Sequence, residues 1–463
     1  MQDDRLPIWL PRLTAQGGPR FLQIADALQA AVADGSLTPG DRLPPQRQLA
    51  AQLDVDLTTV TRAYDEARRR HLLEGRGARG TYVAAPKIEL TAILDLSMNT
   101  PPPPDGVDFD DMLKQGLSQV LMRADAHLLM TYHLGGGSDS DRKAGAKWLA
   151  PMFGYLDSGQ VVVCPGAQAA IAALILVLTE PGDVILAEPA SYPGLRTAAT
   201  QFGRRIIAVE ADKHGMVPEM LSQACRQHKP GLVYLNPTLQ NPTAITIPER
   251  RRKELASIAK RCNVRIVEDD PYWLLADAPP PPIATFAPEQ VYYISTLSKC
   301  LTPGLRVAFV LIRDPHERER FLVALRSFAL MVAPLTAALA TQWIFDGSAD
   351  GLMEGVRKEA RLRHRMARDI LAGRYSGVGD GLHVWLELPG YWNPSQLARA
   401  AASSGIAVTP AEAFATGATS SESVNAIRIS LGSIKNRGRL QAGLQRLSHL
   451  LARRPESFSA AVV

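Results

Sequence analysis

Cysteine is scarce in this 463-residue sequence: Cys164, Cys225, Cys262 and Cys300 are the only four. None forms a Cys-x-x-Cys pair, and no His/Cys cluster has zinc-finger spacing. A disulfide framework, a redox dithiol and a structural zinc site are thereby excluded, and no metal is expected. The four read as reduced thiols of a cytoplasmic protein. Cys300 follows a lysine discussed below, so it stands near any ligand of that lysine, but its plainer reading is a packing residue.

No secretory leader is expected either, because the segment MQDDRLPIWLPR is acidic, then broken by proline, and has no apolar h-region. Long apolar runs are few. Residues 169–178 are too short to span a bilayer, and residues 321–345 contain Arg326 and Pro334. Both read as core helices, and no membrane contact is expected. No large charge of one sign is present either; a net charge of +5 with a pI near 9.0 permits nucleic-acid binding without requiring it. Length and a hydrophobic content of 46% call for more than one globular domain.

What is present begins with helical spacing. Phe21, Ile24, Ala25, Leu28 and Val32 predict a helix after Pro19, ending at Asp34-Gly35. A turn-rich connector leads to Pro45, which opens a short helix carrying Leu49, Ala50 and Leu53 on one face. Asp54-Val55-Asp56 then makes a tight turn, and Asp56 suits the N-cap of a third helix with Val60, Ala63, Tyr64 and Ala67 inward. Two short helices joined by such a turn have helix-turn-helix geometry, whose second helix enters the DNA major groove. Its outward face offers Thr58, Thr59, Thr61 and Arg62, extended by Arg68, Arg69 and Arg70. A hairpin follows, with Gly75-Arg76-Gly77-Ala78-Arg79-Gly80 at its tip. It reads as a wing laying Arg76 and Arg79 against the DNA backbone or minor groove.

The ordered segments "GSLTPGDRLPPQRQLAAQL", "TTVTRAYDEARRR" and "GRGARGTYV" resemble the winged helix-turn-helix domain of GntR-type regulators. That resemblance implies a double-stranded DNA operator as partner and phosphate contacts from Gln46 and Arg47. Leu57 stands where such domains often have a basic residue. The domain is placed at 1–84, a short linker that couples it to the rest at 85–97, and a second domain at 98–455, with a tail at 456–463.

In the second domain, strand-like runs at 161–163, 184–186, 205–209, 232–235, 265–267 and 291–294 alternate with amphipathic helices. The expected fold is α/β with a largely parallel sheet, whose ligands sit beyond the carboxyl ends of the strands. Chemistry-bearing residues cluster there. Tyr292–Ile294 ends in hydroxyl residues and Lys299, and a Gly-containing turn then delivers Arg306. A lysine amine can condense with an aldehyde, while Thr296, Ser298 and the guanidinium hold a phosphate. Gly166-Ala167-Gln168 opens a helix after a strand, an anion site in miniature. Asp269 can keep a pyridine nitrogen protonated. Asn241 and Tyr272 can hydrogen-bond a phenolate oxygen. Tyr192 can stack on a planar ring, though alone it is an ordinary loop tyrosine. Arg428 suits a bidentate carboxylate clamp.

Taken together, in this order, these residues resemble the fold-type I, class I aminotransferases, which use pyridoxal phosphate. The resemblance covers residues 95–455. It implies that Lys299 forms the Schiff base, Asp269 pairs with the pyridine nitrogen and Asn241 with Tyr272 holds the phenolate. Tyr192 stacks on the ring. Gly166, Ala167, Gln168, Thr296, Ser298 and Arg306 bind phosphate, and Arg428 holds an α-carboxylate. Tyr132 resembles the tyrosine that reaches a neighbouring subunit's phosphate, which implies a homodimer. Ala244 ends Asn-Pro-Thr-Ala where the family has Asn-Pro-Thr-Gly, and Gly137–Arg142 blurs the usual Gly-x-x-x-Leu-Arg.

A winged helix joined to such a domain resembles the MocR-type regulators. The implied function is a pyridoxal-phosphate-dependent transcriptional regulator whose aminotransferase-like domain senses the cofactor, an amino-acid-like effector, or both. The alternative is an active aminotransferase, acting on an amino acid and a 2-oxo acid, that carries a DNA-binding domain. A DNA-binding protein with a dead second domain has no use for Lys299, Asp269 and Arg306 together.

Overall fold

The computed structural model describes residues 9–10, 13–14, 18–75, 77–84, 93–371, 375–376, 379–417 and 424–454. The chain divides into two compact units, residues 1–92 and 93–463.

In the first unit, α1 (Arg20–Ala33), α2 (Gln46–Leu53) and α3 (Leu57–Arg69) pack around Ile24, Leu28, Leu49, Val60, Ala63 and Tyr64, all of them buried. Each of the Ile, Leu and Val side chains among them contributes roughly 1.5–3 kcal/mol by leaving water. The tight turn forms as the sequence predicts. Asp54 closes α2 in the left-handed region at φ 49°, which a short polar side chain tolerates. Asp56 takes the N-cap position of α3, but its side chain accepts no capping hydrogen bond. The buried Tyr64 hydroxyl donates to Pro44 O at 2.9 Å and ties α3 to the connector. β1 (Leu73–Gly75) pairs antiparallel with β2 (Thr81–Val83), and a short 3-10 turn, Gly77–Arg79, makes the wing tip.

The second unit opens with β3 (Leu94–Asp95). Its central sheet is built from β4 (Val161–Cys164), β5 (Val184–Ala187) and β6 (Arg205–Ala208). A small hairpin, β7 (Ala211–Asp212) with β8 (Gly215–Met216), follows. The sheet then continues with β9 (Leu232–Leu235), β10 (Arg265–Asp269), β11 (Val291–Thr296) and β12 (Ala308–Leu311). The order across the seven strands is β4-β12-β11-β10-β9-β5-β6, parallel except at β12. All six expected strands are present. β12 was not expected, since four apolar residues just after a turn carry no period of their own. The apolar run at 321–345 is two helices, Pro315–Arg326 and Pro334–Asp346, because proline opens the second one.

A smaller sheet comprises β13 (Tyr375–Ser376), β14 (His383–Glu387), β16 (Thr409–Pro410) and β17 (Ala426–Ser430), in the order β13-β14-β17-β16. β15 (Ile406–Ala407) instead pairs parallel with β3. This pairing corrects the expected linker of 85–97. Leu94 N donates to Gly405 O at 2.9 Å, Leu96 N donates to Ala407 O at 2.8 Å, and both side chains are buried. Residues 93–97 are therefore part of the second unit. Two inward leucines are too few to register as a period, so the sequence does not show it. Residues 85–92 and the expected tail at 456–463 lie outside the described residues. Among the described residues, no helix is long and apolar enough to cross a membrane.

Candidate functional site

Beyond the carboxyl ends of β4, β9, β10 and β11 lies an open cavity of about 110 Å³. Parallel strands end there together, so their last residues and the loops that follow converge on one volume. Ten predicted ligand-binding residues line it: Lys299, Asp269, Tyr272, Asn241, Tyr192, Ala167, Gln168, Thr296, Ser298 and Arg306.

Lys299 is half-buried just past β11, and Nζ donates to Asn99 O at 2.5 Å. Burial, with help from Arg428 and Arg306, lowers its pKa to about 8, against the opposing pull of Asp269. The amine thus loses its proton far more readily than a free lysine does, although the cation still predominates at neutral pH. Asp269 ends β10. Burial raises its pKa to about 6, partly offset by the Tyr234 hydroxyl, which donates to Oδ2 at 2.6 Å, and by Lys299. Its other oxygen, Oδ1, is buried without any partner. Asn236 Nδ2 donates to the Asp269 backbone carbonyl at 2.5 Å, and Asn236 Oδ1 accepts from Asn241 N at 2.7 Å. The strand end and the Asn-Pro loop are locked to each other.

The anion end is built around Gly166, which caps helix Ala167–Leu178 at φ 90°. A Cβ on Gly166 would lie 2.4 Å from Arg306 Nη2, so only glycine lets the guanidinium lie against this helix N-terminus. Arg306 itself is exposed and held at φ 51°. The Thr296 and Ser298 hydroxyls are 3.1 Å apart. Helix N–H groups, two hydroxyls and an arginine form a cradle for a phosphate.

Arg428, on β17, is buried and does not itself line the cavity. Nη1 donates to Asn241 Oδ1 at 2.7 Å and Nη2 donates to Ser97 O; the guanidinium lies 4.9 Å from the Phe414 ring centroid. Burial lowers its pKa to about 10, and Nε has no partner. Tyr132 is 74% exposed and lies outside the cavity. Cys300 is buried and its thiol is pushed up to about 12 by burial, as fits a packing residue. Ala244 is held at φ 58°, the conformation for which glycine is suited.

Four polar residues of the site were given no role by sequence reasoning: Asn99, Tyr234, Asn236 and His383. Asn236 opens the Asn-Pro-Thr stretch and could have been noticed there. Asn99 stands 200 positions from Lys299, and no local signal links them.

In the first unit, Thr58 and Arg62 on α3 and Arg47 on α2 are exposed, while Thr59 and Gln46 are half-buried. Arg62 lies 4.3 Å from the Phe21 ring centroid, which fixes its stem. Two of the expected contacts are already engaged within the protein. The Thr61 hydroxyl donates to Gln46 Oε1 at 2.9 Å or Leu57 O at 3.0 Å, so it braces α3 against α2 and is not a free contact. The arginine run that ends α3 is engaged within the protein. Arg68 pairs with Asp65, Arg69 with Glu66, and Arg70 with Asp26 and Glu66. Arg76 lies outside the described residues, whereas Arg79 is exposed at the wing. Arg42, not singled out from the sequence, sets its guanidinium beside Gly80 of the same wing.

A profile of the family described as Aminotransferase class I and II matches residues 91–447, and one described as Bacterial regulatory proteins, gntR family, matches residues 21–83. The chain belongs to the class I and II aminotransferase family and carries a gntR-type helix-turn-helix domain ahead of it. Its particular arrangement is the MocR architecture, shared with named regulators. The uncharacterized HTH-type transcriptional regulator YdeF of Bacillus subtilis is 32% identical over 454 residues, 96% of each chain. The vitamin B6 salvage pathway transcriptional repressor PtsJ of Salmonella typhimurium is 27% identical over 431 residues, covering 89% of this chain and 94% of its own. LysN, the alpha-aminoadipate aminotransferase of Thermus thermophilus complexed with N-(5'-phosphopyridoxyl)-L-leucine, matches with a TM-score of 0.69 and 26% identity, over 78% of this chain and 92% of that one.

Proposed function

We propose that this chain is a transcription regulator that holds pyridoxal phosphate in its second unit and addresses operator DNA with its first. One observation carries the cofactor reading. Asp269 Oδ1 is buried and unpartnered in the cavity that also holds a lowered-pKa lysine and a phosphate cradle. A buried carboxylate oxygen needs a donor, and a protonated pyridine nitrogen is one. Bound there, pyridoxal phosphate supplies an electrophilic aldehyde and an electron-accepting ring.

The residues then divide the work. Lys299 is the amine that meets the aldehyde. Asp269, oriented by Tyr234 and Asn236, holds the proton on the pyridine nitrogen. Tyr272 and Asn241 hold the phenolate oxygen, and Tyr192 covers the ring. Gly166, Ala167, Gln168, Thr296, Ser298 and Arg306 hold the phosphate. Arg428 orients the carboxylate of an amino-acid-like effector. The exposed Tyr132, with Met122, Leu128 and Met130 exposed nearby in sequence, supports a homodimer in which this tyrosine reaches a second copy's phosphate. A dimer presents two winged helices to two half-sites. Arg47, Thr58, Arg62 and Arg79 are the exposed DNA contacts, with Thr59 beside them and Gln46 positioned by Thr61; Arg76, outside the described residues, is a further proposed contact.

A second reading, an active aminotransferase, rests on the lowered pKa of Lys299, which suits a proton-transferring base once its amine is displaced. An amino-donor and keto-acid assay separates the two, since the enzyme reading demands turnover of ~1–10³ s⁻¹.

The test is binding of the purified protein to DNA from its own upstream region, with and without pyridoxal phosphate, against scrambled competitor. Specific binding that shifts with the cofactor is the expected result. Absence of both specific DNA binding and a visible cofactor band overturns the proposal.

A further inference from the structure

The segment through which the polypeptide enters the second unit is unused by the functional reading above. Residues 84–93 separate Val83, the last wing residue, from Leu94 of β3. Beyond β3 the chain turns sharply. Asp95 Oδ1 accepts from Ser97 N at 2.8 Å, Ser97 Oγ at 2.6 Å and Met98 N at 3.3 Å. This Asx turn aims the next carbonyls at the site's two inner cations. Arg428 Nη2 donates to Ser97 O, and Lys299 Nζ donates to Asn99 O. The Asn99 side chain adds a third tie. Its Nδ2 donates to the Tyr272 hydroxyl at 2.8 Å and sits 3.1 Å from His383 Nδ1. His383 Nε2 lies 3.1 Å from Gln240 O, so the partners assign the proton to Nε2 and leave Nδ1 as acceptor.

We propose that residues 95–99 are a latch that exchanges its hold on Lys299 and Arg428 for the ligand, and so reports the state of the cavity along the chain toward the DNA-binding unit. The proposal rests on the pyridoxal-phosphate reading. The two cations that hold the latch are the two groups on which ligand chemistry acts. When the Lys299 amine condenses with an aldehyde, a carbon–nitrogen double bond forms and one water leaves. A Lys299 nitrogen so engaged would keep at most one proton and would be held by the ligand in place of Asn99 O. Asn99 O loses its donor. Arg428 responds more weakly. A carboxylate draws on the same Nη2 that serves Ser97 O, and an anionic acceptor outcompetes a neutral carbonyl. Ser97 O keeps the Thr409 and Ser430 hydroxyls at 3.4 Å, so the demand falls on Asn99 O; a buried carbonyl without a donor is unfavourable, and the segment must move to find one.

The movement has a direction set by how the segment is fastened. On one side, β3 is held by β15, and Leu94 and Leu96 sit in the core of the smaller subdomain. On the other, Asn99 touches Lys299 and Tyr272 of the large sheet. The latch therefore spans the two halves of the second unit, and its N-terminal end continues directly into the linker. No other described contact joins the ligand-binding lysine to a residue so close in sequence to the wing.

Hydrogen exchange on the full-length chain tests this, with pyridoxal phosphate as one probe and inorganic phosphate as the other. Pyridoxal phosphate is expected to raise exchange at the amides of Ser97–Thr100 by about tenfold. Phosphate, which fills the anion cradle and leaves Lys299 free, is expected to leave it unchanged. A visible cofactor band with unchanged exchange overturns the latch and spares the cofactor reading. An equal response to phosphate alone also overturns it. Failure of the band to appear refutes the cofactor reading and the latch with it. As a second variant, Asp95→Ala removes the Asx-turn acceptor and leaves every residue that lines the cavity in place, although it also removes a negative charge near Arg428. It is expected to keep the band while losing the cofactor-dependent change in DNA affinity. A full-sized change in that variant also counts against the latch.

Discussion

Asp269→Asn separates what this carboxyl does for the ligand from what it costs the fold. Burial raises the Asp269 pKa from 3.8 to about 6. Because the folded value lies above the unfolded one, the folded carboxyl binds its proton more tightly. Its contribution to stability is greatest below the unfolded pKa and is lost as pH rises through the folded one. The difference of about two units, at 1.36 kcal/mol each, makes about 3 kcal/mol. Above neutral pH the ligand-free protein carries that much strain in one ionised side chain. Asparagine does not titrate, and its amide keeps the Tyr234 partner while leaving one buried polar atom unsatisfied, as in the parent. Any constant offset between the two proteins is therefore independent of pH. Neighbouring Glu268 and Asp270 are also raised by burial, to about 7 and about 8, but they are common to both proteins and largely cancel in the difference. The assay is urea unfolding of cofactor-free protein across pH. The stability of the parent minus that of the variant should fall by about 3 kcal/mol between about pH 3 and about pH 7.5. With pyridoxal phosphate present, the parent alone should recover, since only an ionised partner holds the pyridinium. A difference that stays constant across this pH range refutes the argument that Asp269 is a buried, ligand-directed carboxylate.

Lys299→Ala should abolish the visible band of the bound cofactor while leaving DNA affinity in place; retention of the band in this variant excludes Lys299 as the amine. Arg62→Ala should weaken operator binding and reduce the slope of log K against log salt by about 0.9, the signature of one lost phosphate contact. Its cofactor absorbance should be unchanged, and an equal loss of cofactor would contradict the assignment of the two roles to separate units. Ala244→Val should destabilise the protein by about 2 kcal/mol or more, because a β-branched residue is poorly tolerated at φ 58° in a buried loop, whereas Ala244→Gly should stay within about 1 kcal/mol. Thermal unfolding of the two variants side by side gives the comparison.

Much of this protein is written in local patterns. Helical spacing placed α1, α2 and α3, because an amphipathic period needs only its own dozen residues. Six short apolar runs marked the strands of the parallel sheet. The type and order of residues at strand ends marked Lys299, Asp269, Asn241, Tyr272 and Arg306, since parallel strands bring their carboxyl ends to one place. The exceptions share a cause. Thr61 and Arg70 look like free DNA contacts in sequence, but Gln46 and Asp26, 15 and 44 positions away, occupy them. The segment 93–97 looks like linker, but its pairing partner lies more than 300 residues later.

By itself, then, the sequence determined the two folds and their order, because these follow from periodicity and from the order of the motifs, and it named the polar groups that the proposed cofactor would meet. Only the tertiary structure decided which of those groups are already engaged. It left Asp269 Oδ1 without a partner, gave Lys299 a carbonyl on Asn99, and set Gly166 against Arg306. Such pairings join positions hundreds of residues apart, and hydrogen bonds of a few ångströms are fixed by how the sheets pack, which no local pattern contains.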